Sequence, residues 1–121
     1  MALIHTCYRI TDIDRSVAFY EALGFQEVGR LPIKDEAVNV FMNQPGDGDM
    51  PRLELTFNFG VDSYELGTAY GHIAITAGDL DETIAGIQAT LGVGGLIHVA
   101  VGLSGGVGAL LTKRSGYSRN A

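Results

Sequence analysis

Apolar and polar residues follow the periods of strands and helices through the first half of the chain. Segment 52–59 alternates most regularly, with Leu53 and Leu55 on one face and Glu54 and Thr56 on the other. This alternation predicts a strand with one buried face. The segments 3–10, 25–30 and 37–42 also have the composition of strands.

One helix is predicted between the first two of these strands. Asp12 stands at the N-cap position, Val17 and Tyr20 follow it at helical spacing, and Leu23-Gly24 provides the stop. The first part of the chain is therefore predicted to be a βαβββ unit. Because its strands lack long crossovers, we expect a mixed, mostly antiparallel sheet and an α+β fold.

The segment 12–18 recurs at 79–85 with a constant offset of 67, and six of the seven positions are identical or similar. A histidine stands seven residues before each copy, at His5 and His72. A strand over 71–76 and a helix capped by Asp79 follow the same order as in the first copy. A repeat at a fixed period predicts a second βαβββ unit.

We therefore expect a single domain over 1–121, with a first unit over 1–66 and a second over 67–121 that becomes atypical after about residue 91. The fourteen acids and five of the basic residues lie in 1–82, a net charge of −9. Residues 83–121 carry three basic side chains and no acid, with nine of the 17 glycines. This tail is either a glycine-rich, loop-heavy segment or one that has not kept the pattern of the first part.

Composition excludes several classes of function. The 121-residue chain has 46% apolar residues, enough for a folded core, and a net charge of −6, which gives no electrostatic footprint for nucleic acid. It has no basic amphipathic stretch for a membrane surface, no 18-residue apolar run and no secretory signal pattern at its start. The single cysteine, Cys7, is expected to be a small core residue, and its lack of a disulfide partner favours a reducing, cytoplasmic location.

His5, His72 and Glu54 form the candidate chemical site. Singly, each histidine is accounted for as an ordinary core or surface side chain, and Glu54 as an exposed residue or an ion-pair partner of Arg52. Together they indicate a metal site. The repeat would bring equivalent positions near each other, and two imidazoles with one carboxylate suit a first-row metal. Symmetry then requires a fourth ligand near residue 121. His98 is either a substitute ligand or a loop histidine.

Two long segments carry a family resemblance. They are LIHTCYRITDIDRSVAFYEALGF over 3–25 and LELTFNFGVDSYELGTAYGHIA over 53–74. Both resemble glyoxalase I (lactoylglutathione lyase) of the vicinal-oxygen-chelate superfamily, and the match covers about 1–91. The resemblance implies paired βαβββ units in a cupped sheet around a divalent metal (Ni²⁺, Co²⁺ or Zn²⁺), with glutathione as the cosubstrate thiol. It also implies a homodimer whose sites are built from both chains.

The resemblance assigns roles to particular residues. It makes His5, Glu54 and His72 metal ligands, and it makes Arg9 and Asn58 binding residues for the glutamyl carboxylate of glutathione and its neighbourhood. The fourth ligand of the family is a glutamate, but the matching position here is Asn120, which would be a weak ligand. The basic residues that hold the glycyl end of glutathione in the family are not recognisable in 92–112.

The implied reaction converts the methylglyoxal–glutathione hemithioacetal to S-lactoylglutathione, a detoxification of methylglyoxal. The metal would act as a Lewis acid while a glutamate moves a proton from C1 to C2. With an amide at 120, Glu54 is the remaining candidate for the catalytic base, so we expect weaker metal affinity and reduced turnover. The alternatives are a non-catalytic small-molecule-binding module of the same fold and a degenerate chain that keeps only the fold or a dimer interface.

Overall fold

The computed structural model describes residues 1–65, 67–69, 73–77, 79–91 and 108–112. The chain divides into two compact units, Met1–Tyr64 and Glu65–Ala121. The organisation of both units as one domain stays a prediction.

The first unit has the predicted βαβββ order. Its elements are β1 (Thr6–Ile10), α1 (Ile13–Ala22), β2 (Gln26–Ile33), β3 (Ala37–Asn43) and β4 (Leu53–Asn58), with a short 3₁₀ helix (Pro45–Asp47) between β3 and β4. The four strands form one sheet in the order β1-β4-β3-β2. β1 runs parallel to β4, and the other neighbours are antiparallel. The expectation of a mixed sheet in an α+β fold is confirmed.

Local sequence signals set both ends of α1. At the start, Asp12 Oδ1 accepts a hydrogen bond from the backbone N–H of Arg15 at 2.9 Å, as predicted for an N-cap. At the end, the N–H groups of Gly24 and Phe25 bond to the carbonyls of Glu21 and Tyr20. This is a Schellman motif, and it requires the left-handed backbone that Gly24 adopts at φ +90°.

The core of the first unit lies on one face of its sheet. Leu55 of β4 and Val40 and Met42 of β3 have no exposed surface, and Leu53 is 1% exposed. The helix α1 contacts β4 and β2 and contributes the buried Val17. Because strand residues alternate between faces, the polar residues of β1 and β4 are left together on the opposite side.

The second unit is described over three elements. β5 (Ile73–Ala77) pairs antiparallel with β6 (Gly108–Thr112), and α2 spans Leu80–Leu91. Asp79 Oδ1 accepts a hydrogen bond from the N–H of Glu82 at 2.9 Å, so the second predicted helix cap is confirmed. The other strands that the repeat predicts for a second βαβββ unit fall outside the described residues. Neither α1 nor α2, the helices of the described ranges, is long and apolar enough to cross a membrane.

Candidate functional site

Strand register gathers the candidate residues on one face of the four-stranded sheet. In the parallel pair, Cys7 lies opposite Glu54 and Arg9 opposite Thr56. In the antiparallel pair, β3 places Phe41 opposite Glu54 and Asn39 opposite Thr56. We call this surface the polar face; its residues are His5, Cys7, Arg9, Asn39, Phe41, Glu54, Thr56 and Asn58.

His5 and Glu54 meet at one end of the polar face. His5 Nε2 lies 2.9 Å from Glu54 Oε2, and the two side chains are 33% and 15% exposed. The His5 ring also has an edge contact with the ring of Phe41, at a centroid distance of 6.1 Å. The imidazole nitrogen and the carboxylate oxygen are therefore directed at each other in a partly shielded position.

The ion pair between Glu54 and Arg52, considered as an alternative, is wrong. Arg52 Nε lies 3.2 Å from Asp47 Oδ1, and Arg52 Nη1 donates to the carbonyl of Leu3 at 3.0 Å. These bonds hold the guanidinium at the loop before β4. The Glu54 carboxylate is thus left to the other residues of the polar face.

Arg9 and Asn58 form a second pair further along the same strands. Arg9 Nη1 donates a hydrogen bond to Asn58 Oδ1. The same oxygen accepts a hydrogen bond from the Tyr64 hydroxyl at 3.2 Å. A guanidinium presents a fork of N–H donors that matches a carboxylate, so an exposed Arg9 fixed by Asn58 is suited to hold an acidic group of a ligand.

Sequence reasoning missed Thr56 and Tyr64. The Thr56 hydroxyl lies 3.2 Å from Glu54 Oε1 and 3.3 Å from Cys7 Sγ, in the middle of the polar face. The alternation of 52–59 already placed Thr56 on the face of Glu54, which was a usable signal. Tyr64 lies in the loop after β4, and no strand or helix periodicity predicts its contact with Asn58.

The expectation that Cys7 is a small core residue is wrong, because Cys7 is exposed. The buried positions of β1 are Tyr8 and Ile10, which are 8% and 7% exposed. Cys7 therefore falls on the other side of the strand, where its sulfur meets Thr56. The strand predicted within 3–10 is confirmed as β1, but the burial expected for Cys7 is not.

The donors of this site suit a divalent metal but do not complete a centre by themselves. Two ligands that each lie about 2.1 Å from one ion are about 3.4 Å apart in tetrahedral geometry and about 3.0 Å apart in octahedral geometry. The 2.9 Å between His5 Nε2 and Glu54 Oε2 is close to the octahedral spacing, and it is also the length of an ordinary hydrogen bond. Within the described ranges, no group of three or more His, Cys, Asp or Glu side chains is placed to hold a metal. His72, His98 and Asn120 lie outside those ranges.

The chain has relatives among known proteins. It is 37% identical over 94 residues to a lactoylglutathione lyase of Haemophilus influenzae, covering 76% of this chain and 70% of that protein. It is 34% identical over 89 residues to a probable chloroplastic lactoylglutathione lyase of Arabidopsis thaliana, covering 72% of this chain but 25% of that protein.

The chain is also similar to a solved structure of a glyoxalase I. The trypanothione-dependent glyoxalase I of Leishmania major superposes with a TM-score of 0.72 at 32% identity, over 97% of this chain and 82% of that one. Residues 2–92 match the model of the Glyoxalase/Bleomycin resistance protein/Dioxygenase superfamily. The chain therefore belongs to the Glyoxalase/Bleomycin resistance protein/Dioxygenase superfamily.

Proposed function

We propose that this chain is a metal-dependent, glyoxalase I-like lyase that converts the methylglyoxal–glutathione hemithioacetal to S-lactoylglutathione. The observation that carries the proposal is the approach of His5 Nε2 to Glu54 Oε2 at 2.9 Å, on the face that also presents Arg9 and Asn58. Relatives named lactoylglutathione lyase support the reaction class. The assembly proposed with it is a cytoplasmic homodimer with shared sites.

His5 and Glu54 would hold the metal, together with His72 and, weakly, Asn120 by family resemblance. A divalent ion bound there supplies Lewis acidity, which lowers the cost of negative charge on the oxygens of the substrate. An imidazole and a carboxylate are ligands that Ni²⁺, Co²⁺ and Zn²⁺ accept, so the donor set does not distinguish between these ions.

Arg9 and Asn58 are proposed to bind the glutamyl carboxylate of glutathione. The Arg9 guanidinium can donate two parallel hydrogen bonds to a carboxylate, and Asn58 fixes its position. Tyr64 in turn donates to Asn58 Oδ1, which leaves the Asn58 side chain little freedom to turn away. This pair determines where the thiol part of the substrate lies.

Glu54 is proposed to move the proton. Its carboxylate would take the proton from C1 and return it at C2, while the hydroxyl proton passes from the C1 oxygen to the C2 oxygen, so the reaction is an isomerisation with no net loss of atoms. General base catalysis of this kind typically contributes roughly 10²–10⁴-fold to the rate. Asn120 stands where the family has a glutamate, and an amide cannot take that proton, so we expect slow turnover in this chain.

The test is the formation of S-lactoylglutathione by the full chain with Ni²⁺ and, separately, with Zn²⁺. We expect metal-dependent activity that E54Q lowers at least about 10²-fold, because the amide has the shape of the carboxylate but not its basicity. N120E should raise the turnover number by roughly 10²–10⁴-fold. D62N, a neutralised exposed carboxylate after β4, serves as the matched control and should keep the activity.

Two results would contradict the proposal. Activity that persists without metal and in E54Q would remove Glu54 and the ion from the reaction. No activity in the N120E variant, combined with metal-independent binding of an S-alkyl glutathione, would favour a non-catalytic binding module of the same fold. A parallel assay with trypanothione, the thiol of the Leishmania major relative, tests the choice of glutathione.

A further inference from the structure

Thr56 contacts three strands from the centre of the polar face. Its hydroxyl lies 3.2 Å from Glu54 Oε1, 3.3 Å from Cys7 Sγ and 3.0 Å from Asn39 Oδ1. Glu54 is therefore held at both carboxylate oxygens, since Oε2 meets His5 and Oε1 meets Thr56. These two contacts fix the orientation of the Glu54 carboxylate on the polar face.

The proton count of this cluster decides what Thr56 does. A hydroxyl has one proton to donate and two lone pairs to accept. Ionised Glu54 accepts only, and a hydrogen bond to a charged group is roughly twice as strong as one to a neutral group. The Thr56 proton therefore belongs to Glu54 Oε1. A lone pair of Thr56 is then free to accept from the Cys7 thiol. Asn39 Oδ1, which is also an acceptor, lies 3.0 Å from the same hydroxyl and competes with Glu54 for its one proton.

We propose that Thr56 is a positioning residue that orients the Glu54 carboxylate for the metal. This inference deepens the proposed function and rests on it. A hydrogen bond to Oε1 leaves Oε2 as the oxygen presented beside His5 Nε2, so one oxygen is anchored and the other is available to the ion. Groups that orient a ligand in this way typically contribute 10- to 100-fold to metal affinity.

The test measures the dissociation constant of Ni²⁺ for the full chain by direct titration, which does not depend on turnover. T56V removes the hydroxyl but keeps the branched shape that suits a strand. We expect T56V to raise the dissociation constant about 10- to 100-fold. T56S keeps the hydroxyl and should stay within about 3-fold of wild type by the same principle. T11V is the matched control, since Thr11 is an exposed threonine just after β1.

The outcomes separate the inference from the function. If wild type binds Ni²⁺ and T56V binds it equally well, the role of Thr56 is refuted while the metal site stands. If T56S is as weak as T56V, a hydroxyl donor is not what Glu54 needs, and the inference is again wrong. If wild type and E54Q bind Ni²⁺ alike, Glu54 is not a ligand and the proposed function fails, and the inference fails with it. The unfolding midpoint of each apo variant, expected to stay near wild type, checks that the fold is retained.

Discussion

The two faces of the four-stranded sheet use alternate residues of the same strands for different purposes. On the core face, Leu53 and Leu55 are 1% and 0% exposed. On the polar face, the side chains of His5 and Glu54 are 33% and 15% exposed and bond to each other. The comparison shows that alternate residues of β4 have different roles: Leu53 and Leu55 are buried in the core, and Glu54 between them contributes to the candidate site.

This division has an energetic reason. Removal of apolar surface from water contributes about 25 cal/mol per Å², so the core face carries most of the stability. Polar groups on the other face lose solvent and regain little more than they lose when they bond to one another. The identities of polar-face residues such as Thr56 and Glu54 can therefore be determined by ligand binding, at a small cost in folding free energy.

Asn43 is an exception to the division between a buried core face and an exposed polar face. By alternation Asn43 shares the side of Asn39, yet it has no exposed surface. The loop after β3 covers it: Asn43 Nδ2 donates to the carbonyls of Gly48 and Met50 at 2.8 and 3.0 Å, and Gln26 Nε2 donates to Asn43 Oδ1 at 3.1 Å. At this end of the polar face, hydrogen bonds from the loop and from Gln26 cover Asn43.

The largest expected effect comes from the core face. L55A should lower the free energy of unfolding by about 2–5 kcal/mol, the range for truncation of a fully buried leucine. L31A is the matched control, since Leu31 is 51% exposed on β2, and it should change stability by less than about 0.5 kcal/mol. Urea denaturation of the full chain measures both. Equal losses in the two variants would mean that the faces do not differ in their contribution.

The next effect tests the end of the polar face where Asn43 is covered. N43A should cost about 1–3 kcal/mol, because it leaves the carbonyls of Gly48 and Met50 and the amide of Gln26 without their partner. N39A, a substitution of the same type on the same strand, removes a contact with Thr56 on the open part and should cost less than about 1 kcal/mol. A larger loss in N39A than in N43A would contradict the distinction, again in urea denaturation.

The parts of the fold that depend on local sequence could be predicted. The alternation of 52–59 gave the faces of β4, and Asp12 and Asp79 gave the two helix starts. β2 runs to Ile33, three residues beyond the predicted 25–30, because Leu31–Ile33 pairs with Ala37–Asn39 across a hairpin. Pro32 lies in this extension, and a strand at the edge of the sheet tolerates proline.

The site was predicted less completely because its contacts depend on register. His5 and Glu54 are 49 residues apart, and only the parallel pairing of β1 with β4 brings them together. The histidine repeat and the family resemblance singled out both residues, but no pattern in the sequence gives the distance between them. The hydroxyls of Thr56 and Tyr64 were missed for the same reason, since each is defined by a neighbour on the polar face.

The smallest expected effect concerns the pH dependence of the loop that covers Asn43. The pKa of Asp47 lies below its usual value because the backbone N–H of Gln44 donates to its carboxylate, with a further hydrogen bond from Arg52. A carboxyl whose pKa is lower in the folded state stabilises the fold fully above the unfolded value of about 3.9, and loses that contribution as the pH falls through the folded pKa. D47N should therefore unfold at lower urea than wild type at pH 7, and the two should converge as the pH falls below about 4. D49N removes an equal charge two residues away and should show a smaller difference from wild type at pH 7 than D47N does. A gap between D47N and wild type that stays constant down to pH 2 would mean that the contacts of the Asp47 side chain, and not its charge, hold this loop.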